Sequence, residues 1–348
     1  MTQELGITKK QSFHFNIPKK KPKIAYFILV HRFPEQFKRL FKAIYHPENH
    51  YLIQIDQEID INTEKSVKTF LADYSSVYLL KSKNVERRGY SMVQSQINGM
   101  KYLLNRCLKW DFFINLSDQD FPLKSQDFIF DFLSRNKEKN FIKIVNQIEK
   151  KPDTLNRFEN HFQEIDIGFS GIPYKRSFMK NMTWYVGGQW MILTRACCEF
   201  ICYSPEMKKF EDFYRKILFA DKSFFQTALM NTSFKETIIN DDKRVVVRVV
   251  DGDITLKPET LTRADIDFLT LGDNLFARKF DERVDESILG ILEEALRRPY
   301  QITNNANNID FNLLPTLSIN AKKSLLLDPE TIINPPTQLT KQMLNGNK

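Results

Sequence analysis

Phe112-Phe113-Ile114-Asn115-Leu116-Ser117-Asp118-Gln119-Asp120-Phe121-Pro122-Leu123 runs from an almost entirely apolar segment into two carboxylates and a turn. A strand that is covered on both faces carries such a continuous apolar run. Pro122 and Ser125 then signal a turn. The stretch therefore predicts a buried strand that places Asp118 and Asp120 at its carboxyl end.

Similar apolar runs lie on either side of this strand. They occupy residues 24–30, 51–55, 77–80 and 141–145, and segments with helical spacing separate them at 34–44, 90–104 and 126–133. Strands that alternate with helices are typical of layered α/β domains. The sequence thus predicts an α/β fold with a mostly parallel central sheet flanked by helices.

The rest of the chain sets the domain boundaries. Its 348 residues, of which 42% are hydrophobic and 27% charged, fit one large folded domain or two ordinary ones, and the alternating elements favour one. Residues 1–22 form a basic arm and 23–298 the folded domain. Residues 299–348 are rich in Asn, Thr, Pro and Leu and are expected to be irregular or partly disordered. Further elements are expected at 184–193 around a Gly-Gly bend, 195–203, 223–230, 245–250, 266–269 and 285–296.

The apolar run near the N-terminus bears on the expected cellular location. The early apolar run at 24–30 is too short to cross a bilayer, and it does not fit a signal peptide. We expect a cytoplasmic protein with reduced, buried thiols at Cys107, Cys197, Cys198 and Cys202. No CxxC pair occurs, and Pro47 argues against a helical metal pair of His46 and His50.

The net charge of +8 suits an anionic ligand, a membrane surface or a nucleic acid. Because no aromatic-basic interleaving or known reader motif occurs, we do not expect nucleic-acid binding. The basic arm could instead help the protein sit on an anionic membrane at its inner face. An ordinary solvated arm is the alternative.

Polar residues follow three of the predicted strands, at His31, Asp56 and 118–120. Open α/β sheets bind ligands outside the carboxyl ends of their strands, so these side chains mark a candidate site. Asp118 and Asp120 could hold a divalent ion against a diphosphate. The same residues also fit a helix cap and turn.

A distant segment, 275–281, places Arg278 and Lys279 between Phe276 and Phe280. Cations on a diphosphate neutralise a departing nucleotide and remove the need for a metal. The alternative is a solvated charge pair above two core phenylalanines. Lys257, just before Pro258, could add another cation or be an ordinary surface lysine.

Taken together, these segments resemble the core-2/I-branching glycosyltransferase family (glycosyltransferase family 14), which also includes peptide O-xylosyltransferases. The resemblance covers about residues 23–281. It is carried by seven short elements that occur in the family's order, at 25–31, 53–56, 88–93, 115–124, 187–190, 223–227 and 275–281. Each element alone is weak, and the ordered series is specific.

The resemblance implies a GT-A type fold, inversion at the anomeric carbon, and a UDP-sugar donor with no essential metal or other cofactor. It implies that Lys279 binds the diphosphate. The residues that it places on the nucleotide and donor side are Val30, His31, Asp56, Tyr90, Lys257, Arg278 and Lys279. It makes Asp118 and Asp120 groups that shape the sugar and acceptor side, or the turn, rather than metal ligands. Gln189 and Trp190 are expected on that side too, and core packing is the alternative for Trp190.

One departure from the family pattern concerns the catalytic base. The family usually carries a Glu just before its Phe-Phe-x-Thr helix, and here Lys222 stands in that place, after Asp221. An ordinary lysine is protonated at neutral pH and is a poor base. Asp221, the adjacent carboxylate, is therefore the candidate base. A base from another loop, or a protein without transfer activity, stays open.

The functional expectation is transfer of N-acetylglucosamine or xylose from a UDP-sugar to a hydroxyl of a glycan or glycolipid acceptor. We expect this in the synthesis of surface polysaccharide or lipopolysaccharide. The alternative is a nucleotide-sugar-binding pseudoenzyme, for which Lys222 is the reason.

Overall fold

The computed structural model describes residues 21–81, 89–107, 109–150, 160–165, 168–175, 179, 181–251 and 255–298. Nearly all of the predicted basic arm, and the whole predicted extension 299–348, lie outside these residues. The domain boundaries therefore stay predictions. Among the described helices, none combines the length and the apolar character that crossing a membrane requires.

The strands alternate with helices along the first half of the chain. The strands are β1 (Ile24–Val30), β2 (His50–Ile55), β3 (Val77–Lys81), β4 (Phe112–Ser117), β5 (Asp120–Pro122), β6 (Asn140–Ile142), β7 (Val145–Asn146), β8 (Asn160–Ile165), β9 (Gly168–Lys175), β10 (Tyr185–Val186), β11 (Met191–Thr194), β12 (Ile238–Ile239), β13 (Arg244–Val246), β14 (Arg248–Asp251), β15 (Thr255–Pro258) and β16 (Phe276–Arg278). The helices are α1 (Pro34–Ile44), α2 (Ile61–Leu71), α3 (Ser91–Arg106), α4 (Gln126–Arg135), α5 (Gln147–Lys150), α6 (Arg195–Tyr203), α7 (Pro205–Tyr214), α8 (Phe224–Met230), α9 (Ile266–Leu271) and α10 (Ser287–Arg297).

The central sheet has seven strands in the order β12-β6-β11-β4-β1-β2-β3. Every neighbouring pair is parallel except the two pairs that β11 makes with β4 and β6. The prediction of an α/β fold with a mostly parallel central sheet is therefore confirmed.

The side chains of β1 explain why its sequence is apolar throughout. Because successive side chains in a strand point to opposite faces, Tyr26 and Ile28 enter one core cluster with α1, α2, α4, α9 and α10. Ala25 and Phe27 enter a second cluster with α3, α6, α7 and α8. Helices thus cover both faces of the sheet, as predicted.

Some elements differ from the sequence-based expectation. The helix α2 was missed because only Val67 and Leu71 are buried, which hides its helical spacing. The expected strand 245–250 is divided, since β13 pairs with β16 and β14 pairs with β15. The expected strand 141–145 is likewise two short strands, β6 and β7.

A smaller sheet of three strands, β13-β16-β5, lies beside the carboxyl end of β4. In it β16 pairs antiparallel with β5, which places Arg278 opposite Asp120. β13 pairs parallel with β16, which places Arg244 opposite Phe276. Two segments that are far apart in sequence, residues 112–123 and 275–281, are therefore neighbours.

Candidate active site

A cavity of about 260 Å³ opens at the carboxyl ends of β1, β2 and β4. The residues that line it are Leu29, Val30, His31, Arg32, Gln54, Asp56, Met92, Ser95, Ser117, Gln119, Gln189, Trp190, Asp221, Lys222 and Arg278. This is the edge of the sheet at which the sequence predicted a ligand site.

Three of the predicted donor-side residues, Val30, His31 and Asp56, meet at this edge. The backbone N–H of Asp56 donates to the carbonyl oxygen of Val30 at 2.8 Å, which joins the ends of β1 and β2. His31 lies next in the chain, and its Nδ1 is 3.1 Å from Oδ1 of Asp118. The structure thus brings these three residues together, and their contacts with a nucleotide stay predictions.

Asp118 lies behind the cavity wall and holds the loop after β1. Its Oδ2 accepts hydrogen bonds from the backbone N–H groups of His31, Arg32 and Phe33 at 2.8, 2.9 and 3.2 Å. Burial raises the pKa of Asp118, but the bonds from the His31 side chain and from these N–H groups outweigh burial and lower it. Because the side chain is 0% exposed, Asp118 shapes the loop after β1, which is the turn alternative of the prediction, and its place on the sugar and acceptor side stays a prediction.

Asp120 is also fully buried. Its Oδ2 accepts hydrogen bonds from the backbone N–H and the hydroxyl of Ser117, at 2.7 and 2.6 Å. Its Oδ1 lies 3.3 Å from Nε of Arg244 and 3.7 Å from Nε of Arg278. This carboxylate therefore contacts two guanidinium groups within the protein, and its place on the sugar and acceptor side stays a prediction.

The bend at Gly187 and Gly188 brings Gln189 and Trp190 to the cavity. A Cβ on Gly187 would stand 2.0 Å from the carbonyl oxygen of Lys143, so only glycine fits this approach. Gln189 is half-buried, and its Oε1 has no hydrogen-bond partner among the described residues. The Trp190 ring is 5% exposed and lies against the guanidinium groups of Arg278 and Arg244. A place on the cavity wall is thus shown for both, whereas contact with a sugar stays a prediction.

Asp221 and Lys222 form the opposite part of the wall, in a short 3-10 turn, Ala220–Lys222. The carbonyl oxygen of Lys222 accepts a 2.8 Å hydrogen bond from the N–H of Gly187, which ties this turn to the Gly-Gly bend. Asp221 is 4% exposed, and its Oδ2 pairs with Nζ of Lys222 at 2.8 Å. Its Oδ1 is buried with no hydrogen-bond partner among the described residues. One carboxylate oxygen of Asp221 is thus unpaired among the described residues, and its role as a base stays a prediction.

The predicted cations occupy different places. Arg278 lines the cavity, whereas Lys279, which is half-buried, is not among the described residues that line it. The strand β15 contains Lys257, but its side chain lies outside the described residues. The structure therefore puts Arg278, rather than the lysine singled out by the resemblance, on the cavity wall.

Tyr90 is placed in the core instead of in the cavity. Its ring lies 5.8 Å from that of Phe224, and the guanidinium of Arg215 is 5.2 Å from its centroid. Burial raises the pKa of its hydroxyl. Tyr90 is 5% exposed, packs against α8 and is absent from the cavity lining, and donor binding by this residue stays a prediction.

Sequence reasoning missed Arg32 and Arg244. Arg32 follows His31 and lines the cavity. Arg244 begins β13 and is 6% exposed, and its Nη2 donates to the carbonyl oxygen of Asn115 at 3.0 Å. A single arginine before an apolar run usually marks a solvated strand end, so nothing in the sequence indicates this burial. Among the described residues, no cluster of three or more His, Cys, Asp or Glu side chains could hold a metal ion.

An α/β fold with a mainly parallel sheet, and a cavity of mixed cationic and acidic lining at the carboxyl edge of that sheet, is the arrangement in which proteins of this class place a ligand site. The particular family is given by comparison with known proteins. The family model described as Core-2/I-Branching enzyme matches residues 24–267. The chain belongs to this family, and the resemblance found in the sequence is confirmed.

Curated relatives of this chain include xylosyltransferases. Human xylosyltransferase 2 is 29% identical over 303 residues, which cover 80% of this chain and 34% of the relative. Rat xylosyltransferase 1 is 27% identical over 305 residues, which cover 82% of this chain and 36% of the relative. The chain thus spans about a third of the length of the curated relatives that it matches.

Solved structures of sugar transferases also match. A galactosyltransferase, LgtC, solved with donor and acceptor sugar analogues, aligns with a TM-score of 0.39 and 9% identity over 80% of this chain and 98% of that chain. Core-mannan synthase A of Aspergillus fumigatus, in its Mn/GDP form, aligns with a TM-score of 0.33 and 8% identity over 62% of this chain and 71% of that chain. Because both TM-scores are low, the family assignment rests on the family model.

Proposed function

We propose that this chain is an inverting glycosyltransferase that moves a sugar from a UDP-sugar to a hydroxyl of a glycan acceptor. The observation that carries the proposal is one cavity with a carboxylate, Asp221, and a guanidinium, Arg278, on its walls. Transfer needs a group that accepts the acceptor proton and a group that stabilises the departing diphosphate. Membership in the Core-2/I-Branching enzyme family supports the same reaction.

In the proposed reaction Oδ1 of Asp221 accepts the proton of the acceptor hydroxyl. The hydroxyl oxygen forms a bond to the anomeric carbon while the bond from that carbon to the diphosphate oxygen breaks. UDP leaves with the bonding electrons, and a single displacement of this kind inverts the anomeric centre. Arg278 and Arg32 stand on the cavity wall to neutralise the developing charge.

Metal independence is part of this proposal. Two guanidinium groups in the cavity lining, those of Arg32 and Arg278, can supply positive charge to a diphosphate by hydrogen bonds, which is the role that a divalent ion otherwise has. UDP release that persists in EDTA would support this, and release that needs Mn²⁺ or Mg²⁺ would contradict it.

The donor sugar is proposed to be xylose or N-acetylglucosamine. Xylose is supported by the relatives, which are named xylosyltransferases. The acceptor is proposed to be a glycan or glycolipid of surface polysaccharide or lipopolysaccharide synthesis. Cytoplasmic location and contact of the basic arm with an anionic membrane stay predictions.

The test is a panel of UDP-sugars, with UDP release and thermal stabilisation measured for each. UDP should raise the melting temperature, and one UDP-sugar should release UDP faster with an acceptor than in water. A protein that responds to no UDP compound would overturn the proposal.

A second candidate, a nucleotide-sugar-binding protein without transfer activity, is favoured by one contact. Nζ of Lys222 lies 2.8 Å from Oδ2 of Asp221, and Lys222 stands at the position where the family usually carries a glutamate. This candidate predicts UDP binding without turnover, unchanged in Lys222→Glu. Turnover by the wild type would exclude it.

A further inference from the structure

Behind the cavity, one buried carboxylate stands between two guanidinium groups. Oδ1 of Asp120 is 3.3 Å from Nε of Arg244 and 3.7 Å from Nε of Arg278. The side chains of Asp120 and Arg244 are 0% exposed, and that of Arg278 is 15% exposed. Of these three residues, Arg278 is the one that lines the cavity. Asp120 and Arg244 are therefore buried behind Arg278, which is the member of the cluster that a ligand in the cavity could contact.

Trp190 holds the two guanidinium groups on its ring. The guanidinium carbons of Arg244 and Arg278 lie 4.6 and 4.4 Å from a ring centroid of the indole. Cation–π contacts of this kind are favourable when they are desolvated. Arg244 is also fixed by its hydrogen bond to the carbonyl oxygen of Asn115. These contacts make Arg244 a rigid support, since two independent partners hold it.

Two guanidinium groups share one carboxylate in this cluster, since Arg244 and Arg278 both approach Oδ1 of Asp120. Asp242 adds a second negative charge that acts on Arg244. Nε of Arg278 and Nε and Nη1 of Arg244 have no hydrogen-bond partner among the described residues. Because buried donors without partners are costly, Arg278, which lines the cavity, gains when an anion enters beside it.

We propose that Arg244 is a positioning residue. Its guanidinium pairs with Asp120 on the side away from the cavity, so that the guanidinium of Arg278 remains available to an anionic ligand. The inference rests on the proposed function, in which that anion is the diphosphate of a nucleotide. Without Arg244, Asp120 pairs with Arg278 one to one, and the charge offered to the cavity falls. Arg244 itself does not touch the ligand, since its side chain is fully buried.

The test compares Arg244→Gln with wild type in calorimetric titrations of uridine, UMP and UDP. We expect the Kd of UDP to rise about tenfold, since one positive charge close to the diphosphate is lost. The Kd of uridine should change by less than about twofold, because uridine carries no charge. Arg297→Gln, a change of the same kind at an exposed arginine of α10 (side chain 74% exposed), is the control and should leave both values unchanged.

A double-mutant cycle distinguishes a positioning role of Arg244 from a general loss of structure in the variant. In an Arg278→Gln background, Arg244→Gln should cause little further loss of UDP affinity, because it acts through Arg278. Fully additive losses would overturn the proposal, as would equal losses for uridine and UDP, or no loss for UDP.

The conservative variant keeps the proposal testable if Arg244→Gln does not fold. Arg244→Lys keeps the charge beside Asp120 but loses the planar contact with Trp190, so its UDP affinity should fall by less than that of Arg244→Gln. A tenfold loss of UDP affinity in a folded Arg244→Lys would overturn the inference. If wild type itself does not bind UDP, the proposed function fails. If wild type binds UDP and these variants do not discriminate, only the role of Arg244 fails.

Discussion

Replacing Asp221 with asparagine should stop transfer and leave nucleotide binding nearly intact. Asparagine keeps the shape of the side chain but cannot accept the acceptor proton. A positioned general base contributes about 10²–10⁴-fold, which corresponds to about 3–5 kcal/mol of the activation barrier. We therefore expect kcat to fall by at least about 100-fold, while the Kd of UDP changes by less than about threefold.

The structural cost of this substitution is small by comparison. The ion pair between Asp221 and Lys222 is lost, but the Lys222 side chain is 43% exposed. A pair open to water on one side contributes about 0–1 kcal/mol to the free energy of unfolding. A shift in the melting temperature of no more than about 4 °C follows. Loss of stability therefore cannot account for a 100-fold loss of rate.

The assay is initial-rate UDP release at saturating donor, with thermal melting and UDP titration on the same preparations. Asp212→Asn is the matched control, because Asp212 is a half-exposed carboxylate of α7 that pairs with Lys208 at 2.9 Å. It should retain the wild-type rate. A folded Asp221→Asn that keeps more than half of the wild-type rate would refute the role of Asp221 as base.

Three further predictions concern residues that support the fold around the cavity or lie in the core. Gly187→Ala should cost about 1–3 kcal/mol of unfolding free energy and lower activity, because its Cβ would stand 2.0 Å from the carbonyl oxygen of Lys143. The control in urea melts is Gly188→Ala, because the nearest atom to a Cβ at that position is 3.7 Å away. Asp118→Asn should destabilise the fold at neutral pH. As the pH falls below about 4, the variant should lose less stability than wild type does. The folded-state pKa of Asp118 is lowered, so its stabilisation is present above the unfolded pKa and disappears as pH falls through the folded value; unchanged acid melts would contradict this. The four cysteines should not react with a thiol reagent at pH 8 until urea unfolds the protein, because all four are buried and burial raises the pKa of Cys202 to about 12; rapid labelling of the native protein would contradict it.

The strands of the sheet were predictable because burial on both faces leaves a continuous apolar run, as in β1 and β4. The meeting of His31 and Asp56 at one edge was also predictable, since parallel strands share an orientation. The family could be identified because its short elements keep their order. These features depend on local pattern and connectivity, which a single sequence contains.

The roles of the charged residues were harder to predict because they depend on distant neighbours. Asp118 and Asp120 were expected to shape the sugar and acceptor side or the turn, but the sequence did not show that backbone donors after β1 and two arginines enclose them. Arg244 was missed because its partners come from β4, β5 and the Gly-Gly bend. Whether a charge at a strand end is solvated or buried depends on such long-range packing, which residue pattern does not determine.

The most direct test of the central claim is a crystal structure of this protein with bound UDP. We predict that UDP occupies the cavity at the ends of β1, β2 and β4, with its diphosphate hydrogen-bonded to the guanidinium of Arg278. The terminal phosphate should point toward Asp221, which leaves room for a sugar between them. UDP bound elsewhere on the chain, or with its diphosphate turned away from Arg278 and Asp221, would contradict the proposed function.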